Sequence, residues 1–292
     1  MENKIVSKFN IVSASYIGSP LDNTVMYVTK KVESLIANLK DAKECLVFCE
    51  STIDVPKELE DAHEFILTPN PQFDYAIYVN NLAKDREEFN RARKYTMTET
   101  GYTIGENVTI GTNSIVEPFA FIDHDVQIGD NARIFAGARI RNAIIGDNFI
   151  AGENCVIGTY GFTMANNECG DKIRIPTLGK VIIGNDVEVG TLTNVSVGSG
   201  GNTIIGDHVK IDTLVHIGHD VKLGKNAELP AGAITGGYDI IGNNAFIGIN
   251  ATLRNRIVIG ENSIVGMGSV VTKSIPANSV VVGNPAKPIT KS

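Results

Sequence analysis

The chain has no apolar run near the roughly 18–20 residues that cross a bilayer, and its opening, MENKIVSKFN, lacks a signal-peptide hydrophobic region. A soluble, cytoplasmic protein is therefore expected. Positive charge is not in excess either: the formal net charge of −7 offers no electrostatic footprint for nucleic acid or an anionic membrane. Cysteines are few, and Cys45, Cys49, Cys155 and Cys169 show neither CxxC pairing nor zinc spacing, so buried, reduced thiols are expected. Low-complexity runs are missing too. With 43% apolar and 20% charged residues among 292, the chain can bury a sizeable core.

What the sequence does have is a period. From Ile205 to Val271 every sixth residue reads Ile205, Ile211, Ile217, Leu223, Leu229, Thr235, Ile241, Ile247, Leu253, Ile259, Val265 and Val271. Six is a multiple of the strand period, so these side chains share one direction, whereas helical geometry would smear them around an axis. Short strands stacked in a solenoid follow. Ile104, Ile110, Val116, Ile122, Ile128, Ile134 and Ile140 keep the same step, and the phase slips by one at Ile145, Ala151 and Ile157. A slip of one turns a plain strand inside out, so it must be absorbed at a corner. Residues 159–180 carry no hexads and read as a loop thrown out of the coil; a shorter break follows at Gly198-Ser199-Gly200-Gly201-Asn202. The pattern resembles the hexapeptide-repeat, left-handed parallel β-helix, in which three hexads make one triangular coil. About 25 hexads then make roughly eight coils. Their flat sides suit association as a homotrimer.

Residues 1–100 are different. Candidate strands are Asn10–Tyr16, Cys45–Cys49 and Glu64–Thr68; Val28, Val32, Leu35, Ile36 and Leu39 share a helical face, and a second helix is expected from about Asp74 to Arg93. The expected fold is thus mainly β: a left-handed parallel β-helix over 101–292 with a small α/β domain over 1–100. Before the second helix lies Thr68-Pro69-Asn70-Pro71-Gln72-Phe73-Asp74-Tyr75. Two prolines fix this stretch, and Asp74 is placed to cap the helix. Phe73 and Tyr75 beside Asn70 read either as a base-stacking slot with an edge reader or as a helix start whose rings enter the core.

Chemistry centres on Lys210-Ile211-Asp212-Thr213-Leu214-Val215-His216-Ile217-Gly218-His219-Asp220. Ile217 points inward and Gly218 takes the corner, which leaves His219 outside as a solvent-facing imidazole, with His216 a weaker candidate. Stacked on His219 one coil later is Gly237, whose missing side chain leaves room for a slim ligand. An imidazole that accepts a proton near neutral pH makes His219 a candidate general base. Asp212 and Glu228 are the candidate orienting carboxylates.

Ile157-Gly158-Thr159-Tyr160-Gly161-Phe162, Lys172 to Gly184, Val209 to Asp212 and His216 to Asp220 together resemble the UDP-3-O-acylglucosamine N-acyltransferases of lipid A assembly, the LpxD family. That likeness extends to Asn70, Phe73 and Tyr75, which it implies read and stack a uracil. Two features depart from it. Asn255-Arg256 stands where that family has a second histidine, and the sequence ends soon after Val282-Gly283-Asn284-Pro285-Ala286-Lys287-Pro288, with no helical tail expected for an acyl carrier protein. This ending resembles coenzyme A-dependent hexapeptide transferases, including those of the AntD type that N-acylate dTDP-linked amino sugars.

The combined resemblance implies transfer of an acetyl or 3-hydroxybutyryl group from acyl-coenzyme A, with no metal, to a dTDP- or UDP-linked amino-deoxy sugar such as dTDP-4-amino-4,6-dideoxyglucose. Asn70, Phe73, Tyr75, His216 and Asp212 would bind substrate; Gly237, Lys273, Gly283, Asn284 and Lys287 would lie along the coenzyme. Two other readings stand beside it: the fatty-acyl N-acyltransferase of lipid A synthesis using acyl carrier protein, and a non-catalytic or zinc-binding β-helix that would join His216 and His219 to His124 or His208.

Overall fold

The computed structural model describes residues 5–289. The chain divides into two compact units. One comprises the residues through Ala92, Gly161–Gly179 and Ser199–Gly201; the other comprises Arg93–Tyr160, Lys180–Gly198 and the residues from Asn202 onward.

The first unit is a parallel sheet in the order β1 (Ser13–Ala14), β2 (Thr24–Val28), β3 (Leu46–Glu50) and β4 (Glu64–Thr68). A 3-10 helix spans Lys30–Asp41, and α-helices span α1 (Lys57–Ala62) and α2 (Pro71–Arg91). Strand β3 is covered on both sides. Leu46 and Phe48 pack with Tyr75, Ala76 and Val79 of α2, while Val47 and Cys49 pack with Ile36, Leu39 and Leu59. Burial on both faces removes the alternation by which a half-exposed strand is recognised. Strand β2 is buried on both faces too, with Val25 in one cluster and Met26 and Val28 in the other, and its last residue, Val28, also fits the helical spacing of the segment that follows.

Residues 159–180 are more than a loop. Met164–Asn166 and Lys172–Arg174 pair as an antiparallel hairpin, and Ala165, Ile175 and Leu178 are buried in the same cluster as α2. An excursion from the solenoid thus completes the core of the α/β unit. The turn of this hairpin exposes Cys169, contrary to the expectation of four buried thiols; Cys45, Cys49 and Cys155 are buried.

The second unit is a left-handed parallel β-helix. Its first face runs from Thr103–Ile104 to His216–Ile217 and continues, through isolated bridges at Ile234, to Thr252–Leu253 and Val270–Val271. Among the described residues the second face has eight strands, from Thr109–Ile110 to Val258–Ile259, and the third has ten, from Ile115–Val116 to Lys287–Pro288. Inward aliphatics form one continuous core from Ala120 to Val281. The phase slip is absorbed at the corner before Ala143. There Asn142 adopts φ 49°, so Ile128 pairs with Ile145 and Ile134 with Ala151 without any inward residue turning out.

The corners do not rely mainly on glycine. Left-handed backbone is carried by Asn107, Asn113, Asn131, Asn226, Asn244 and Asn262 among others, the non-glycine type best able to tolerate it. Asparagines on successive coils join side chain to side chain, as Asn226 to Asn244 and Asn244 to Asn262 at 3.0 Å each. Glycine serves closeness instead: a Cβ on Gly224 would lie 2.6 Å from the Asn243 backbone nitrogen of the next coil.

Phe149 is fully buried in a slot that Ala132 and Val187 occupy on the flanking coils. Phe149→Ala is expected to lower unfolding free energy by about 3–5 kcal/mol, measured by urea denaturation.

Candidate active site

His219 lies at the corner where the first face, ending in His216–Ile217, turns into the second, beginning at Lys222–Leu223. Its backbone is pinned from both sides. The Asp220 N–H donates to Thr203 Oγ1 on the coil below at 3.0 Å, and the Gly218 N–H donates to Thr235 Oγ1 on the coil above at 3.0 Å. Thr203 and Thr235 are themselves buried. Thr235, the one polar member of the inward series from Ile205 to Val271, is therefore where this corner obtains a hydrogen-bond acceptor.

The imidazole is held on three sides. Asp220 Oδ2 lies 2.8 Å from Nδ1, and this carboxylate side chain is only 5% exposed. A carboxylate accepts only, so Nδ1 carries the proton and Nε2 is left as the acceptor. Gly237 forms the seat: a Cβ there would stand 2.5 Å from Nε2 and 2.6 Å from Cε1. Tyr238 is the wall, edge-on to the imidazole with ring centroids 5.2 Å apart, and Arg256 lies 4.2 Å over the Tyr238 ring. The His219 side chain remains 16% exposed, so it presents one edge to solvent and is less open than the sequence implied. The space left by Gly237 is filled by the imidazole itself.

The expected carboxylate partners lie elsewhere. Asp212 occupies the corner between the third and first faces and accepts from the Thr213 and Ala231 backbone at 2.7 and 3.2 Å. Glu228 projects from the third face, opposite the His219 corner. Asp212 instead shares an open groove on the third face with Glu188, Lys210, Glu228 and Pro230. Asp220 was not singled out in the sequence; with φ of 60° at the turn, its side chain meets the imidazole. The adjacency His219-Asp220 was the available signal.

His216 is exposed on the first face, with Nδ1 3.1 Å from Asn194 Nδ2. Desolvation of its ring, then repulsion from His219, holds its pKa below the ordinary histidine value. Its neutral form is thus favoured. Among the described residues no three His, Cys, Asp or Glu side chains converge to hold a metal ion.

The base-stacking slot is a correction. Tyr75 is 2% exposed, packed on Tyr27 with ring centroids 5.1 Å apart, and Phe73 packs against the same core. With Tyr75 buried in this way, the two rings do not flank a slot for a base. Asn70, not Asp74, is the N-cap of α2: its Oδ1 accepts from the Phe73 N–H at 3.2 Å, and its Nδ2 donates to the Asn166 carbonyl at 3.0 Å. The Asp74 carboxylate accepts from the Thr68 hydroxyl. Lys273 is exposed on the rung following Asn255, in line with His219. Gly283 and Asn284 form the turn of the last hairpin, in which Lys287 pairs with Val282 at the end of the third face.

Asp239 was also missed. It is fully buried, and its carboxylate accepts from the Gly236 N–H at 2.9 Å and the Ile257 N–H at 3.1 Å. Burial pushes its pKa up to about 7, against the opposing effect of those backbone donors.

The Bacterial transferase hexapeptide (six repeats) family matches residues 107–142, 202–237 and 240–273. Over 187 residues the chain is 38% identical to UDP-3-O-acylglucosamine N-acyltransferase 1 of Francisella tularensis subsp. holarctica (strain OSU18), covering 59% of this chain and 54% of that protein. It is 31% identical over 149 residues to UDP-3-O-acylglucosamine N-acyltransferase of Caulobacter sp. (strain K31), covering 51% and 44%. The chain thus spans about half the length of these curated relatives. Among solved structures, UDP-N-acetylglucosamine acyltransferase from Campylobacter jejuni superposes with a TM-score of 0.59 at 24% identity, over 67% of this chain and 74% of that one.

The chain has the left-handed β-helix fold, with coils that match the hexapeptide-repeat model over part of its length. Within that class it resembles the UDP-3-O-acylglucosamine N-acyltransferases. The names of these relatives overturn the expectation of a short-acyl, coenzyme A-dependent transferase for dTDP-linked amino sugars. With the coenzyme go the roles given to Lys273, Gly283, Asn284 and Lys287.

Two outcomes test this geometry. Gly237→Ala should lower stability by about 1–3 kcal/mol and shift the His219 ring resonances in nuclear magnetic resonance, since the ring or the corner must move. Asp239 binds its proton more tightly folded than unfolded, so its contribution is full below the ordinary aspartate range and is lost as pH rises toward about 7. Urea unfolding across pH 4–8 should show this decline in the native protein and not in Asp239→Asn.

Proposed function

We propose that the protein is an N-acyltransferase that moves an acyl group from a carrier-protein thioester to the free amine of a UDP-linked 3-O-acylglucosamine. The observation that carries this reading is the His219–Asp220 pair, seated on Gly237 at an open corner of a hexapeptide prism. Similarity to relatives named for that reaction supplies the acceptor. Homotrimeric association belongs to the same reading: exposed Ile204, Ile240 and Val258 place apolar surface along the second face, the kind of surface a neighbouring prism covers.

The chemistry needs little beyond a base and a rigid seat. A thioester is already activated, so the amine nitrogen adds to the carbonyl carbon once its lone pair is free. His219 Nε2 takes the ammonium proton as the N–C bond forms. The tetrahedral intermediate then expels the thiolate, and the imidazolium returns the proton to sulfur. Asp220 keeps Nδ1–H in place, which fixes Nε2 as the acceptor and stabilises the imidazolium. Substrate enters from the exposed edge of the ring, and Tyr238 closes one flank.

Mixed with UDP-3-O-(3-hydroxyacyl)glucosamine and a 3-hydroxyacyl carrier protein, the enzyme should release carrier thiol and yield a diacylated sugar nucleotide by mass spectrometry. No product with C12 to C16 acyl carriers would reject the reading. His219→Ala is expected to reduce kcat by about 10²–10⁴ with little change in KM. Asp220→Asn should reduce kcat in the same direction while leaving the fold intact.

A further inference from the structure

We propose that Asp239 is a positioning residue of this site, an inward carboxylate that holds the Gly236–Tyr238 strip in the place where it seats and walls the His219 imidazole. This rests on the functional reading above only for its kinetic test.

The first observation is that Asp239 breaks the repeat. Its register points into the prism, where other rungs carry Ala227, Ala233, Ala245 and Ala251, with Val221 directly below and Ile257 directly above. Small apolar residues satisfy the packing at this position, and a buried carboxylate carries a large desolvation penalty. A chain that needed only to close its coil would use alanine here, as it does at those rungs.

The second observation is what the carboxylate holds. One oxygen accepts from Gly236 N–H and the other from Ile257 N–H on the following coil. The strip between, Gly236-Gly237-Tyr238, is the part of the first-to-second corner that touches the imidazole: Gly237 under Nε2 and Tyr238 at its edge. It needs holding. The first-face ladder thins to single bridges at Ile234, and two consecutive glycines are the conformationally loosest pair a chain can place at a turn. The Tyr238 N–H donates to the His219 carbonyl and the Arg256 N–H to the Gly237 carbonyl at 2.9 and 3.0 Å. A shift of this strip therefore moves both contacts of the ring together. Asp239 reaches no substrate position and acts only through the strip.

The repeat itself supplies the decisive variant. Asp239→Ala installs the residue that neighbouring rungs already bear, so the variant should fold, with a melting temperature within about 5 °C of the native protein. Its kcat should nevertheless fall at least about tenfold with KM changed less than about threefold, and its His219 ring resonances should shift and broaden. Asp239→Asn keeps the shape and one acceptor oxygen and should recover part of the lost kcat. Asp239→Ala with native kcat and unshifted His219 resonances would overturn the proposal; so would loss of folding in both variants, which would make the carboxylate a stability element. If the native protein has no transferase activity, the functional reading fails alone, and the His219 resonances of the two variants still decide the role of Asp239.

Discussion

Everything in the solenoid depends on how closely its coils stack. Parallel strands lie about 4.8 Å apart, so a residue at any corner touches the residue one rung away. Glycines such as Gly224 and Gly236 stand where a Cβ would meet the backbone of the following coil. The same closeness builds the site. His219 owes its fixed position to the bare backbone of Gly237 one rung later, and the neighbouring Gly236 N–H, bonded to the Asp239 carboxylate, together with the ladder holds that strip.

An apolar prism tolerates few polar groups, and three of those buried on the coils around His219 serve its corner. Thr203, Thr235 and Asp239 are each buried and each satisfied by backbone groups around this one segment. Their burial costs stability that alanine or valine would not. What they give in return is geometry. A hydroxyl below, a hydroxyl above and a carboxylate on the adjoining rung fix the backbone on either side of the imidazole, while Asp220 fixes its tautomer.

The α/β unit illustrates a different dependence. Its core is completed by residues far along the chain, Ala165, Ile175 and Leu178, which arrive on a hairpin that leaves the solenoid and returns to it. The stretch from Asn70 to Tyr75, which its composition and family likeness suggested as a nucleotide slot, is committed to structure. Its asparagine caps a helix and its tyrosine is core. An aromatic next to a helix cap looks alike in sequence whether it faces solvent or a sheet, since only the partner surface decides.

The sequence by itself determined the prism, its coil length and the placing of His219 at an outer corner, because a six-residue period locks every inward side chain to one direction. The strict series also made the breaks at 159–180 and 198–202 visible. Tertiary structure decided what those signals left open. It chose Asp220 over Asp212 and Glu228, since Asp220 turns with φ of 60° beside the imidazole while the corner of Asp212 and the face of Glu228 lie elsewhere on the coil. It also turned Thr235 and Asp239 from defects in a pattern into supports of the site. The physical reason is that a repeat specifies which way a side chain points along its own coil, whereas hydrogen-bond partners on the coils above and below exist only once the stack has formed.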